Sequence, residues 1–128
     1  MKLEQQVTSL ELSKRLKELG VKQESQFAWD NRARFDGGFD LHNLGARAVA
    51  FLSAHNKGCA AFTVAELGEL LPVYFYTNKT KTKGWSCCDQ QAGSCGKGKR
   101  TPTLQADTEA EARGLMLEYL LVNKLMTI

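Results

Sequence analysis

The sequence predicts a single α+β domain, with about four helices packed on a small antiparallel sheet. Three observations lead to it. Capping-box patterns recur at residues 8–11, 63–66 and 108–111, each opening an apolar helical stripe. Runs rich in β-branched and aromatic residues fall between them. A chain of 128 residues suits one compact core, so 1–128 reads as one domain.

The elements follow in order. In Thr8-Ser9-Leu10-Glu11, a hydroxyl and a carboxylate stand ready for the free amides of a helix start. Leu12, Leu16 and Leu19 continue at helical spacing, and Gly20 supplies the left-handed residue that ends a helix near 19. Phe27-Ala28-Trp29 reads as a short strand with Phe27 and Trp29 on one face. A loop carrying Gly37 and Gly38 leads to Asp40, read as the cap of a second helix from Leu41 to about His55. Its stripe is Leu41, Leu44, Ala48, Phe51 and Leu52, with Gly58 closing it. Thr63-Val64-Ala65-Glu66 opens a short helix that Pro72 stops.

Val73 to Thr77 reads as a strand, Asn78 to Lys83 as a turn, and Trp85 to Cys88 as the returning strand. A shorter strand is expected near Thr103–Ala106. Thr108-Glu109-Ala110-Glu111 then opens the last helix, with Ala112, Leu115, Met116, Tyr119 and Val122 as its stripe and Asn123 as its end. The expected core is Trp29, Phe51, Leu67, Phe75, Leu115 and Tyr119.

Composition narrows the function classes. Hydrophobic residues make up 43% and charged residues 24%, ordinary for a globular chain. No apolar run approaches the roughly 18 residues of a membrane span, so no membrane association is expected. The polar start, Met1 to Gln6, has no apolar segment behind it, so a cytoplasmic location is expected. The formal net charge of +3 is unevenly laid out. Between residues 79 and 100 stand Lys79, Lys81, Lys83, Lys97, Lys99 and Arg100 against Asp89 alone. That stretch therefore holds more than the whole positive excess, and can face an anionic partner.

Three segments taken together carry a resemblance. They are Ser9–Trp29 (SLELSKRLKELGVKQESQFAW), Phe62–Pro72 (FTVAELGELLP) and Asp107–Met126 (DTEAEARGLMLEYLLVNKLM). Their order and wording resemble a family of small phage- and prophage-encoded proteins without an assigned activity. The resemblance implies an accessory role in the cytoplasm of an infected or lysogenic bacterium. It carries over no catalytic or binding residue. It leaves out the glycine loop, the stretch from 41, and the divergent basic, cysteine-bearing hairpin and loop at 73–106.

Chemical motifs are incomplete. Gly93 to Lys99 satisfies the glycine-and-lysine part of a phosphate loop, but Arg100 stands where Ser or Thr would hold Mg²⁺, and Pro102 follows where a helix should begin. Cys87, Cys88 and Cys95, with Cys59 or His55 as a fourth ligand, would suit zinc, yet neither C-x2-C knuckle is present. No cofactor and no metal are therefore expected. His42 and His55, placed on one helix, would stand about 140° apart and share no site. A Cys59–His55 nucleophile pair lacks an activating environment. Helix-turn-helix DNA reading is disfavoured, because strand-like stretches follow both candidate helices.

The expectation is thus a non-catalytic accessory protein that binds a host protein or nucleoprotein complex, with inhibition of a host defence system as one such role. The candidate partner-binding residues are Tyr74, Tyr76, Lys79, Lys81, Lys83, Trp85, Lys97, Lys99 and Arg100, which combine aromatics with cations. Two alternatives stay open. One is a zinc-stabilised module that binds nucleic acid through the basic hairpin; the other is sequestration of a small anionic nucleotide.

Overall fold

The computed structural model describes residues 2–32, 36–72, 75–81, 84–89 and 102–127. Tyr74, Lys83, Cys95, Lys97, Lys99 and Arg100 lie outside them. The fold is α+β, as the sequence predicts. In chain order come α1 (Leu10–Glu18), β1 (Phe27–Asp30), β2 (Asp40–Asn43), α2 (Ala46–Ala54) and β3 (Gly58–Ala60). Next are α3 (Val64–Leu70), β4 (Phe75–Lys79), β5 (Trp85–Asp89), β6 (Leu104–Ala106) and α4 (Glu109–Val122).

The strands divide into two three-stranded antiparallel sheets rather than one, ordered β2-β1-β3 and β4-β5-β6. Helix α4 ties the halves together, touching all three strands of the second sheet as well as α1 and α3. The core runs through Leu12, Leu16, Val49, Leu52, Phe62, Leu67, Met116 and Leu117, all essentially inaccessible. Burying such side chains is the main favourable contribution to folding.

The caps differ in detail from their sequence patterns. Ser9, not Thr8, caps α1, and its hydroxyl accepts from the Leu12 amide at 3.3 Å. Thr8 is instead fully buried. Its amide donates to the Phe62 carbonyl at 2.9 Å, and its hydroxyl oxygen accepts from the Phe62 amide at 3.1 Å. Of the three boxes expected from the sequence, the one at Thr63 and Glu66 closes in both directions.

The expected helix from Leu41 is corrected. Asp40–Asn43 pairs with β1, placing Leu41 opposite Trp29 and His42 opposite Ala28. Gly45, at φ 87°, breaks the pattern, and α2 starts one residue later. His42 and His55 are thus on different elements, and the 140° argument does not apply. Gly58 does not close the helix either. Asn56, at φ 56°, makes the left-handed turn, and Gly58 opens β3.

The shorter helix also turns differently. It buries Val49, Leu52 and Ser53, and Phe51, expected in the core, is 59% exposed. Trp29 is half-buried: its indole N–H donates to the Thr8 carbonyl at 3.0 Å, while Ala28 and Asp30 are the buried residues of β1. On α4 the buried set is Ala110, Ala112, Gly114, Met116, Leu117 and Leu120. Leu115 and Tyr119 pack at its margin and Val122 is exposed. Leu67 and Phe75 are in the core as expected.

Candidate functional site

The hairpin β4–β5 places the described candidate residues. Its register sets Lys79 opposite Trp85, Thr77 opposite Cys87 and Tyr76 opposite Cys88. Residues directly opposite in an antiparallel pair share a face, and successive residues alternate. Lys79, Trp85, Thr77 and Cys87 therefore share one face, and Tyr76 is on the other. Thr77 identifies the first as the α4 face, because its hydroxyl bonds Glu109 and accepts from Arg113 at 3.3 Å.

The predicted set is thereby split. Lys79 and Trp85 come together, half-buried Tyr76 points away from them, and Lys81 is exposed beyond the strand end. Lys79 and Trp85 line a cleft of about 410 Å³ between the hairpin end and the starts of α3 and α4. Gly84 makes the close fit feasible. At φ 79°, a Cβ on it would come within 2.5 Å of the Ala106 carbonyl oxygen, so the hairpin returns directly against the junction of β6 and α4. The Thr80 amide and hydroxyl both donate to the Gly84 carbonyl, at 2.6 and 3.0 Å, and fix that turn.

The charge in the cleft is not the one that the sequence suggests. Lys79 is its one cationic lining residue among the described residues, and Asp107 and Glu109 bring two carboxylates. Glu109 is engaged by Thr77 and lies 3.5 Å from the Arg113 guanidinium. Asp107 is exposed, and its side chain makes no hydrogen bond or ion pair among the described residues. Both helix starts are already capped, since Thr63 and Thr108 accept from the Glu66 and Glu111 amides at 3.2 Å. A lining with excess carboxylate and occupied caps is a poor seat for a small free anion.

The cysteines do not converge. Cys59 is buried in β3 of the first sheet, whereas Cys87 and Cys88 are buried in β5 of the second. Cys59 and Cys87 are free thiols, each pushed up to about 11 by burial, and Cys88 is in a disulfide. A disulfide is unexpected for the cytoplasmic location that the sequence suggests. His55 is exposed at the end of α2, its ring 4.2 Å from that of Phe51. Among the described residues, no three His, Cys, Asp or Glu side chains gather as metal ligands would. The phosphate-loop pattern at 93–99 lies outside the described residues.

Sequence reasoning missed the carboxylates of the cleft and the capped starts of α3 and α4 as its walls. The signal was Asp107, directly before the capping box that opens at Thr108, which only becomes a wall once β6 sets it beside Gly84. Among the described residues, no helix is long and apolar enough to cross a membrane. No family model, curated protein or solved structure matches the chain.

Proposed function

We propose that the protein is a non-catalytic, phage-type accessory protein that acts by binding a host protein or nucleoprotein complex in the bacterial cytoplasm. A host defence component is the partner class it best suits. The observation that carries this reading is the Lys79–Trp85 pair at the hairpin end, held against a cleft of about 410 Å³. Trp85 is the kind of residue that interface centres favour, and exposed Lys79 beside it supplies a rim charge that can orient a partner. The state of the thiols supports the non-catalytic part. With pKa values pushed up to about 11, neither Cys59 nor Cys87 offers an appreciable thiolate at neutral pH.

Affinity capture from host lysate, with and without nuclease, tests the reading. The expected result is a stoichiometric host protein that survives nuclease and is lost with Lys79→Glu/Lys81→Glu. A companion variant changes Lys97, Lys99 and Arg100 to Glu and reads the contribution of the basic loop. Recovery of nucleic acid or a nucleotide alone, or turnover of a substrate, would overturn the proposal.

A further inference from the structure

Helix α2 turns Val49, Leu52 and Ser53 toward the first sheet and leaves Ala46, Arg47, Ala50, Phe51 and Ala54 exposed. Phe51 is 59% exposed, more than any other large hydrophobic side chain among the described residues. Its only ring contact is with His55, itself exposed. A ring this exposed removes little apolar surface from water and contributes little to the fold. The alanines beside it are short, so a second backbone can approach the helix closely.

The charge on this helix and the chain flanking it is positive. No carboxylate occurs between Asp40 and Glu66. Arg47 and Lys57 are exposed and make no ion pair among the described residues. Lys17 donates to the Ser53 and Gly58 carbonyls at 2.9 and 3.1 Å and to Asn56 Oδ1 at 3.3 Å. It thus holds a positive charge at the C-terminal end of α2 with no carboxylate on it. Beyond Asn56, the surface depression contains Glu18 together with Lys14 and Lys17, so cations outnumber it there as well.

We propose that the exposed face of α2 is a docking surface, separate from the hairpin, for an acidic amphipathic segment of another protein. The segment sets an apolar side chain against Phe51 and the alanines, and its carboxylates against Arg47 and Lys57. Charge decides against a second copy of this chain. Pairing the face with itself would bring Arg47 and Lys57 toward their own counterparts, where like charges repel. A helix of nine residues is about 14 Å long, so the contact is small and transient.

The test uses the full chain and two labelled helical peptides, one alternating Leu with Glu at amphipathic spacing and one with Gln in place of Glu. Fluorescence anisotropy should show binding of the Glu peptide that weakens with salt, and about tenfold weaker binding of the Gln peptide. Phe51→Ala and Arg47→Glu should each weaken binding about tenfold; both positions are exposed, and circular dichroism checks that the fold is kept. Lys79→Glu/Lys81→Glu should leave it unchanged, which separates this surface from the hairpin reading. Equal binding of the two peptides, or indifference to Phe51→Ala, would overturn the proposal. So would a dimer in sedimentation equilibrium that Phe51→Ala dissolves. Phosphatidylserine vesicles that bind the chain through Phe51, with no binding of the Glu peptide, would overturn it in favour of a lipid surface.

Discussion

Glu111 of α4 accepts two hydrogen bonds from Ser9 at the start of α1, from its amide at 2.8 Å and from its hydroxyl at 2.7 Å. In an ordinary capping box the carboxylate returns to the cap of its own helix. Here the Glu111 amide still donates to Thr108, but its carboxylate caps a helix that lies 102 residues earlier. One side chain thus joins the starts of two helices and fixes how α1 meets α4.

Removing that link should destabilise the protein. Glu111→Ala leaves two partly buried donors of Ser9 without their acceptor, an expected loss of about 1–3 kcal/mol. Glu111→Gln keeps one carbonyl oxygen for the Ser9 amide and should lose about 1 kcal/mol or less. Urea unfolding of the two variants measures both. An equal loss for Ala and Gln would mean that charge, not hydrogen bonding, carries the contact.

The same contact makes Gly114 sensitive. A Cβ there would come within 2.6 Å of Leu12 Cδ2 and 2.9 Å of Thr8 Cγ2. Both neighbours are fully buried and have no room to give. Ala normally gains about 1 kcal/mol over Gly inside a helix, whereas overpacking a core loses about 1–3 kcal/mol. The second effect should win, and Gly114→Ala should lower the melting temperature. A rise would show that α1 shifts freely against α4.

What was legible in the sequence was local. The Thr63–Glu66 box, the returning strand and the last helix are written in adjacent residues and form where the pattern sets them, while β4 runs on through Asn78 and Lys79 of the expected turn. The errors came where distant pairing overrode local period. Residues 41–44 have helical spacing, but Asp40–Asn43 gains a full set of strand partners on β1, which a sequence pattern does not display. Shortening α2 then changed which of its sides is buried and put Phe51 in water. On α4, small residues mislead in the opposite direction. Ala110 and Gly114 are buried where α4 meets α1 and the second sheet, and a search for large apolar side chains passes over them. The site was half legible. Lys79 and Trp85 stand together, but the carboxylate Asp107 joins them only through folding.

The reassigned face of α4 predicts an ordering of core substitutions. Leu117 is fully buried in the central cluster, and Leu117→Ala should lose about 2–5 kcal/mol. Leu115 sits at the cluster margin and is partly exposed, so Leu115→Ala should lose less than about 2 kcal/mol. Chemical denaturation of the pair reads the orientation of the helix directly. The reverse order would place the other side of α4 against the core.

Asp30 should set the acid limb of stability. Its carboxylate is buried in β1, which opposes ionisation. The Arg32 guanidinium, 2.9 Å away and half exposed, outweighs that burial together with a hydrogen bond from the Arg32 amide. The balance lowers the folded-state pKa below the ordinary 3.8. A lowered carboxylate pKa means that the unfolded chain takes up its proton first. The stabilisation is therefore complete above the ordinary value and disappears as pH falls through the folded one. Melting temperatures followed from pH 6 downward should decline through this range, about pH 4 and lower. Arg32→Ala should make Asp30 easier to protonate and move the decline to higher pH. Asp30→Asn should remove that part of the pH dependence. If Arg32→Ala left the acid limb unmoved, the ion pair would not be the source of the lowered pKa, and hydrogen bonding from the backbone would have to account for it.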